Sequence, residues 1–246
     1  TDHLNEIKIG HFPKKELART ILFFQMNKLK FLTWNIESQG VSFQAGGLSL
    51  PEKHEAVIEV IKEHEPDFDE LFLTSSEYIK ICSATSHAGR MCMYAKPNIQ
   101  VAIVSYDSQL PIVSVDITTA NKKIRFSSAH LCPGKDGAYT RECQLNQITL
   151  DDTPHVLMGD LNVREAENDY ITEMGWTDAT DRMDYTWNSL VNLYHRDGYK
   201  FRCRFDRILY HGLPAPTYSI IGNEPLDGNV NCYLSDHFGL NAVFTI

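Results

Sequence analysis

Pro154-His155-Val156-Leu157-Met158-Gly159-Asp160-Leu161-Asn162-Val163-Arg164-Glu165 is the stretch that decides how this chain folds and where its chemistry sits. Val156, Leu157 and Met158 form a short apolar run of the kind that makes a strand buried on both faces. Gly159 is expected to end the run and let the backbone turn tightly. Asp160 and Asn162 follow, two residues apart. At strand spacing such residues point the same way, so a carboxylate and an amide face one place while Leu161 packs behind them. At the mouth of a sheet the two groups can hold a water or a phosphate oxygen. Taken alone, the commoner reading is an Asx turn leading into the next helix, because Asp and Asn are frequent turn residues. The residues around it favour the chemical reading.

Working outward, the same pattern recurs: an apolar run followed by a polar residue. Residues 30–37 read as a strand rich in aromatic and branched side chains, ending on Asn35 and Glu37, again two apart. Residues 124–131 close on Ser128-Ala129-His130-Leu131, residues 201–210 form a strand containing Asp206, and Tyr233-Leu234 runs into Ser235-Asp236-His237 before a last strand at 241–246. Between them lie expected strands at 76–82, 90–95, 101–106, 112–117 and 184–187. The spacing predicts a helix over 51–65, with Ala56, Val57, Val60 and Ile61 on one face and Glu52, Lys53, Glu59, Lys62 and Glu63 on the other. Residues 136–150 and 165–174 are expected to be partly helical. The first 27 residues suggest an extra helix after Pro13 and an edge strand, without chemistry. Many strands, few helices and no internal repeat fit one α/β domain with two packed sheets and helices outside.

A chain of 246 residues, 43% apolar and 22% charged, can bury a sizeable core. No apolar run approaches the roughly 20 residues of a membrane span, and the start lacks the basic-then-apolar pattern of a secretory signal. The six cysteines show no Cys-x-x-Cys spacing, which argues against a zinc ribbon and for reduced intracellular thiols, although an even number leaves disulfides open. A net charge of -9 argues against a non-specific nucleic-acid coat. It is compatible with an enzyme that gathers carboxylates around a metal and lets the metal face phosphate.

The strand-end residues now form a set: Asn35, Glu37, His130, Asp160, Asn162, Asp206, Asp236 and His237. Carboxylates, amides and imidazoles without thiols suit a hard, oxygen-loving cation such as magnesium. Either histidine alone also reads as a satisfied core residue. Ser235-Asp236-His237 is sharper, since a histidine beside a carboxylate after an apolar strand is a candidate general base or phosphate ligand.

Thr33-Trp34-Asn35-Ile36-Glu37, Ser128-Ala129-His130-Leu131, Gly159-Asp160-Leu161-Asn162, Arg204-Phe205-Asp206-Arg207-Ile208 and Ser235-Asp236-His237 follow one another in the order of the endonuclease/exonuclease/phosphatase superfamily, which the chain resembles over about residues 29–246. Within that superfamily it is most similar to the 5′-tyrosyl-DNA phosphodiesterases, on Tyr185-Thr186-Trp187, on residues 204–208, 221–227 and 235–240, and on Arg164. The resemblance implies a four-layer α/β sandwich of two mixed sheets flanked by helices, with an extension at 1–28 and the catalytic domain at 29–246. It implies magnesium-dependent (or manganese-dependent) hydrolysis of the bond joining a tyrosine to a DNA 5′ end, the adduct left by topoisomerase 2. It also implies a monomer of nucleus or cytoplasm without a membrane partner.

In the matching positions, Asp160 and Asn162 would orient or activate the attacking water, with Asp160 and His237 competing for the role of base. His237, oriented by Asp206, and His130 with Asn35 would steady charge on the phosphoryl oxygens. Asp236 would hold the metal with help from Glu37, Trp187 and Phe205 would wall the substrate end, and Arg164 would lie against the tyrosyl ring. The chain departs from the family at its metal-binding Leu-Gln-Glu segment. That segment is shortened here, Glu70 and Glu77 are the nearby acids, and Cys132-Pro133-Gly134 replaces the residues after the histidine-leucine pair. The departure leaves two further readings: another nuclease or phosphatase of the superfamily, such as an abasic-site endonuclease, or a non-catalytic relative that lost the metal.

Overall fold

The computed structural model describes residues 28–36, 48–69, 78–86, 89–106, 111–119, 122–194, 200–226 and 231–246. One six-stranded sheet contains β1 (Lys28–Thr33), β2 (Phe68–Asp69), β3 (Ile79–Ser86), β4 (Gly89–Ala95), β13 (Thr217–Ile221) and β14 (Gly239–Thr245), in the order β13-β14-β1-β2-β4-β3. The other contains β5 (Gln100–Tyr106), β6 (Ile112–Thr118), β7 (Lys123–His130), β8 (His155–Asp160), β9 (Thr177–Asp178) and β12 (Asp206–His211), in the order β5-β6-β7-β8-β12-β9. Both are mixed, with β1–β2 and β7–β8 parallel and the remaining pairs antiparallel. A separate two-stranded ribbon joins β10 (Trp187–Asn188) to β11 (Arg202–Cys203).

Strand alternation sorts the side chains into layers. Phe31 enters the core between the sheets, where it stacks on Phe126 at 4.6 Å and meets the edge of Phe244 at 5.8 Å. Its neighbour Leu32 faces the other way and packs under α1 (Leu50–His64) with Val57 and Ile61. Across the molecule, Leu157 and Leu209 lie against Leu145 of α2 (Ala138–Leu145) and Ile171 of α3 (Asn168–Glu173). Helix, sheet, sheet and helix make the four-layer sandwich that the resemblance implied.

Helix α1 begins where its sequence says it should. Ser49 and Glu52 close a reciprocal capping box, and Pro51 stands in the first turn. Lys53, expected on the outer polar face, is instead buried: its Nζ donates to the Ile36 carbonyl at 2.6 Å and to the Tyr194 hydroxyl at 2.9 Å. The other two helices are shorter than expected, each preceded by a 3-10 turn, at Lys135–Gly137 and Glu165–Glu167.

The expected strand over 201–210 breaks in two at Arg204 and Phe205. The break occurs because β11 pairs with β10 whereas β12 pairs with β8 and β9, and because the buried Arg204 guanidinium grips the Thr180 and Asp181 carbonyls at 2.9 and 3.2 Å. Of the strand expected at 184–187 only Trp187 is extended into pairing, since Asp184 accepts a hydrogen bond from Tyr218 in a turn. The helix and edge strand expected before residue 28, Glu37, and the acids Glu70 and Glu77 lie outside the described residues.

Candidate active site

The site is built on one row of the second sheet. Register pairs His130 of β7 with Asp160 of β8, and Asp160 with Asp206 of β12. Each stands an even number of residues from a side chain of the core between the sheets, namely Phe126, Met158 and Ile208, so all three face the same interior at its rim. Gly159 allows β7 and β8 to meet there. Its φ is +144, and a Cβ on it would lie 1.9 Å from the Ala129 carbonyl oxygen. The glycine therefore sits inside β8 and does not end it. The turn is made by Asn162, at φ 52, a left-handed conformation that asparagine tolerates.

Asp160 uses its two oxygens differently. Oδ1 accepts the Asn162 backbone N–H at 3.1 Å, so the Asx turn is present. Oδ2 accepts Asn35 Nδ2 at 3.0 Å from the opposite sheet, and lies 3.5 Å from His130 Nε2 and 3.7 Å from His237 Nε2. Asn162 turns its own amide to the Leu131 carbonyl at 3.1 Å. Turn and chemical site are thus one structure, and Asn162 serves it from just beyond the strand.

His237 arrives on the loop before β14. Its Nδ1 donates to Asp206 Oδ2 at 2.7 Å, and the loop is pinned on several sides. Trp34 Nε1 donates to the His237 carbonyl at 2.9 Å, Phe238 N to the Thr186 carbonyl at 2.7 Å, and Ser235 Oγ to the Asn35 carbonyl at 2.6 Å. Thr186 Oγ1 in turn accepts the Asp206 N–H at 3.0 Å. Burial pulls the His237 pKa down, but the carboxylates of Asp206, Asp160 and Asp236 outweigh it and lift it to about 10, so the ring is an imidazolium at neutral pH. Burial raises the Asp160 pKa, against the pull of His237.

Asp160, Asp206 and His237 present ligand atoms within 4.8 Å of one another. Carboxylate oxygens suit a magnesium-like cation, and Asp206 Oδ1 is buried without a hydrogen-bond partner among the described residues. The imidazolium already stands between these two carboxylates, however, so a cation there would compete with it. Asp236 Oδ1 accepts from Ser235 Oγ at 3.2 Å.

Beside this cluster stands an aromatic wall. The Trp187 ring lies 5.2 Å and the Phe205 ring 6.1 Å from the His237 ring. Arg164 lies over the face of Phe205 at 5.0 Å, taking the protein's own ring where a substrate ring was expected. The sequence reading missed Phe201, which stacks on Trp187 at 6.1 Å with 40% of its surface exposed. Its spacing of four from Phe205 was the available signal, but only the ribbon register, which sets Trp187 opposite Cys203, shows that both rings meet Trp187. Also missed were Trp34, Thr186 and Ser235 as supports of His237. The structure brings together Asn35, His130, Asp160, Asn162, Asp206 and His237, with Asp236 next to the last and the aromatic residues alongside.

A sequence model of the Endonuclease/Exonuclease/phosphatase family matches residues 32–237. Tyrosyl-DNA phosphodiesterase 2 of Xenopus laevis is 27% identical over 253 residues, covering 88% of this chain and 66% of the relative. Tyrosyl-DNA phosphodiesterase 2 of Danio rerio is 28% identical over 153 residues, covering 54% of this chain and 41% of that protein. The chain thus spans less than two thirds of either relative's length. The crystal structure of D. rerio TDP2 complexed with single strand DNA product superposes with a TM-score of 0.69 at 21% identity, covering 89% of this chain and 99% of that one, a likeness of fold.

Proposed function

The chain belongs to the endonuclease/exonuclease/phosphatase family, and from that membership we propose that it is a divalent-metal-dependent phosphodiesterase hydrolysing 5′-phosphotyrosyl–DNA bonds of the kind topoisomerase 2 leaves. One observation carries the reading beyond the family. Aromatic rings abut the ionisable cluster, with Trp187 5.2 Å from His237. Such a pairing suits a substrate that presents an arene next to a phosphate. The names of the Xenopus and Danio relatives support the same substrate class.

In this reading the Asp206 carboxylate fixes the Nδ1–H of His237 and stabilises its positive charge. Nε2–H is then available to the oxygens of a phosphorus under attack. Asp160, its pKa lifted by burial, takes the proton of the attacking water, while Asn35 and His130 hold its Oδ2 in place. The water oxygen bonds to phosphorus as the phosphorus–oxygen bond to tyrosine breaks and its electron pair leaves with the phenolate. A phenol with a pKa of about 10 leaves with little help from an acid. Asp236, with Glu37, would hold magnesium or manganese, which when bound supplies positive charge to a phosphoryl oxygen.

The test is release of tyrosine from a 5′-phosphotyrosyl oligonucleotide, with magnesium, with manganese and with a chelator. Metal-dependent release that Asp160→Asn abolishes is the expected result. No release with either metal refutes the reading, release in the chelator refutes its metal requirement, and faster cutting of an abasic duplex selects a different member of the family.

A further inference from the structure

We propose that Arg141 is a positioning residue for the hydrolysis, tying together the two loops that follow His130 at the end of β7 and Asp160 at the end of β8; the inference rests on the function proposed above. Both loops leave the sheet at the row of site residues, where strand pairing ends. One runs from Leu131 to Gly134 behind His130. The other carries Asn162 and Arg164 into the 3-10 turn Glu165–Glu167. Close to the row they are joined by Leu131 N–H to the Asp160 carbonyl at 2.9 Å and by the Asn162 amide to the Leu131 carbonyl at 3.1 Å. Further out, Arg141 hydrogen-bonds to both loops.

Arg141, on α2, is 0% exposed. Its NH1 donates to the carbonyls of Cys132 and Gly134, each at 2.8 Å, so it grips the first loop twice. Its Nε and NH2 donate to Glu167 Oε2 and Oε1 at 2.9 and 2.7 Å, a bidentate hold on the end of the second loop. Gln144, one turn along the same helix, accepts the Cys132 N–H at 2.9 Å. Gly137 makes room for the fork, because a Cβ there would lie 2.8 Å from Arg141 NH1. A planar guanidinium meets four acceptors in fixed directions, which a lysine ammonium cannot do. A buried ion pair adds little net stability compared with an apolar pair of similar volume. What this one supplies is a fixed distance between the backbone behind His130 and the backbone beyond Asp160.

The experiment compares Arg141→Met, Arg141→Lys and the double variant Arg141→Met/Glu167→Met with the wild type. It measures kcat and KM on the 5′-phosphotyrosyl oligonucleotide, thermal unfolding, and the ring chemical shifts of His130 at fixed pH. Arg141→Met is expected to lower kcat roughly 10- to 100-fold, the effect typical of lost outer-shell support, with KM kept within about threefold and the His130 ring signal displaced. Arg141→Lys should recover part of kcat. The double variant, which leaves no buried charge unpaired, should recover unfolding temperature but not kcat. Recovery of both by the double variant, a loss of activity no larger than the loss of folded protein, or an unmoved His130 signal overturns the proposal. Should the wild type release no tyrosine, the proposed function fails, and the His130 signal alone then decides the role of Arg141.

Discussion

The catalytic row and the aromatic wall lie side by side but are built in opposite ways. His130, Asp160 and Asp206 sit at matching positions on three adjacent strands, each element running six to eight residues through a continuous sheet. Trp187 and Phe201 stand at a ribbon whose two strands are two residues long. The wall is tied to the row at few points, among them the Phe238 N–H to Thr186 carbonyl bond and the Thr186 hydroxyl under Asp206. The groups proposed to move a proton are set by sheet register, and the rings proposed to meet the substrate are set by short segments. The difference predicts that substitutions in the row act on kcat and substitutions in the wall act on KM.

Asp160→Asn breaks the row most directly. It removes the proposed base, so kcat is expected to fall roughly 10²- to 10⁴-fold, and the unfolding midpoint should fall as well, because an amide keeps only one of the two oxygens that accept from Asn162 N–H and Asn35 Nδ2. Steady-state kinetics with a urea titration checks both halves. Next in size is Gly159→Ala. The added Cβ would collide with the Ala129 carbonyl and demand a φ that alanine avoids, costing about 2–5 kcal/mol by forcing β7 from β8. A wild-type urea midpoint in that variant would show that the row does not depend on this close approach.

Phe201→Ala sharpens the other side of the comparison. Loss of one stacked ring, worth about 1 kcal/mol, should raise KM several-fold and leave kcat within about twofold. A fall in kcat without a change in KM would erase the distinction between row and wall. The smallest effect on activity is expected at the far end of β8, where the readout is stability. His155 is buried there, its Nε2 2.7 Å from Ser127 Oγ, and burial lowers its pKa from 6.5 to about 3. The unfolded chain takes up this proton near pH 6.5 and the folded chain only near pH 3, so stability falls as pH drops through that interval. The slope approaches about 1.4 kcal/mol per pH unit for one proton. His155→Gln, which cannot titrate, should flatten the dependence of the urea midpoint on pH; an unchanged slope would place the titration elsewhere.

The sequence was legible where a local pattern and the tertiary structure agree. Ser49 and Glu52 announce the start of α1, and apolar runs ending on His130, Asp160 and Ser235-Asp236-His237 mark the rim of the sheets. Pairing over long distances was not legible. Nothing near Asp206 says that it stands opposite Asp160 in an antiparallel pair while His130 stands beside it in a parallel one. The same blindness merged β11 with β12, since residues 201–210 look continuous until their different partners are known. Lys53 looked like a solvated lysine because its acceptors, the Ile36 carbonyl and the Tyr194 hydroxyl, are 17 and 141 positions away. Asn162 looked like a continuation of the strand, but it turns the chain in the left-handed conformation and donates its amide to the Leu131 carbonyl.

The bond from Asn35 to Asp160 spans the two sheets, so the oxygen proposed to accept water's proton is also a clasp closing the sandwich at that end. Gentle warming or dilute denaturant that lets the layers part by an ångström there would disarm hydrolysis while circular dichroism still reported a native molecule. Inactivation would then run ahead of melting, and the gap between the two curves would measure how firmly that end of the protein stays shut.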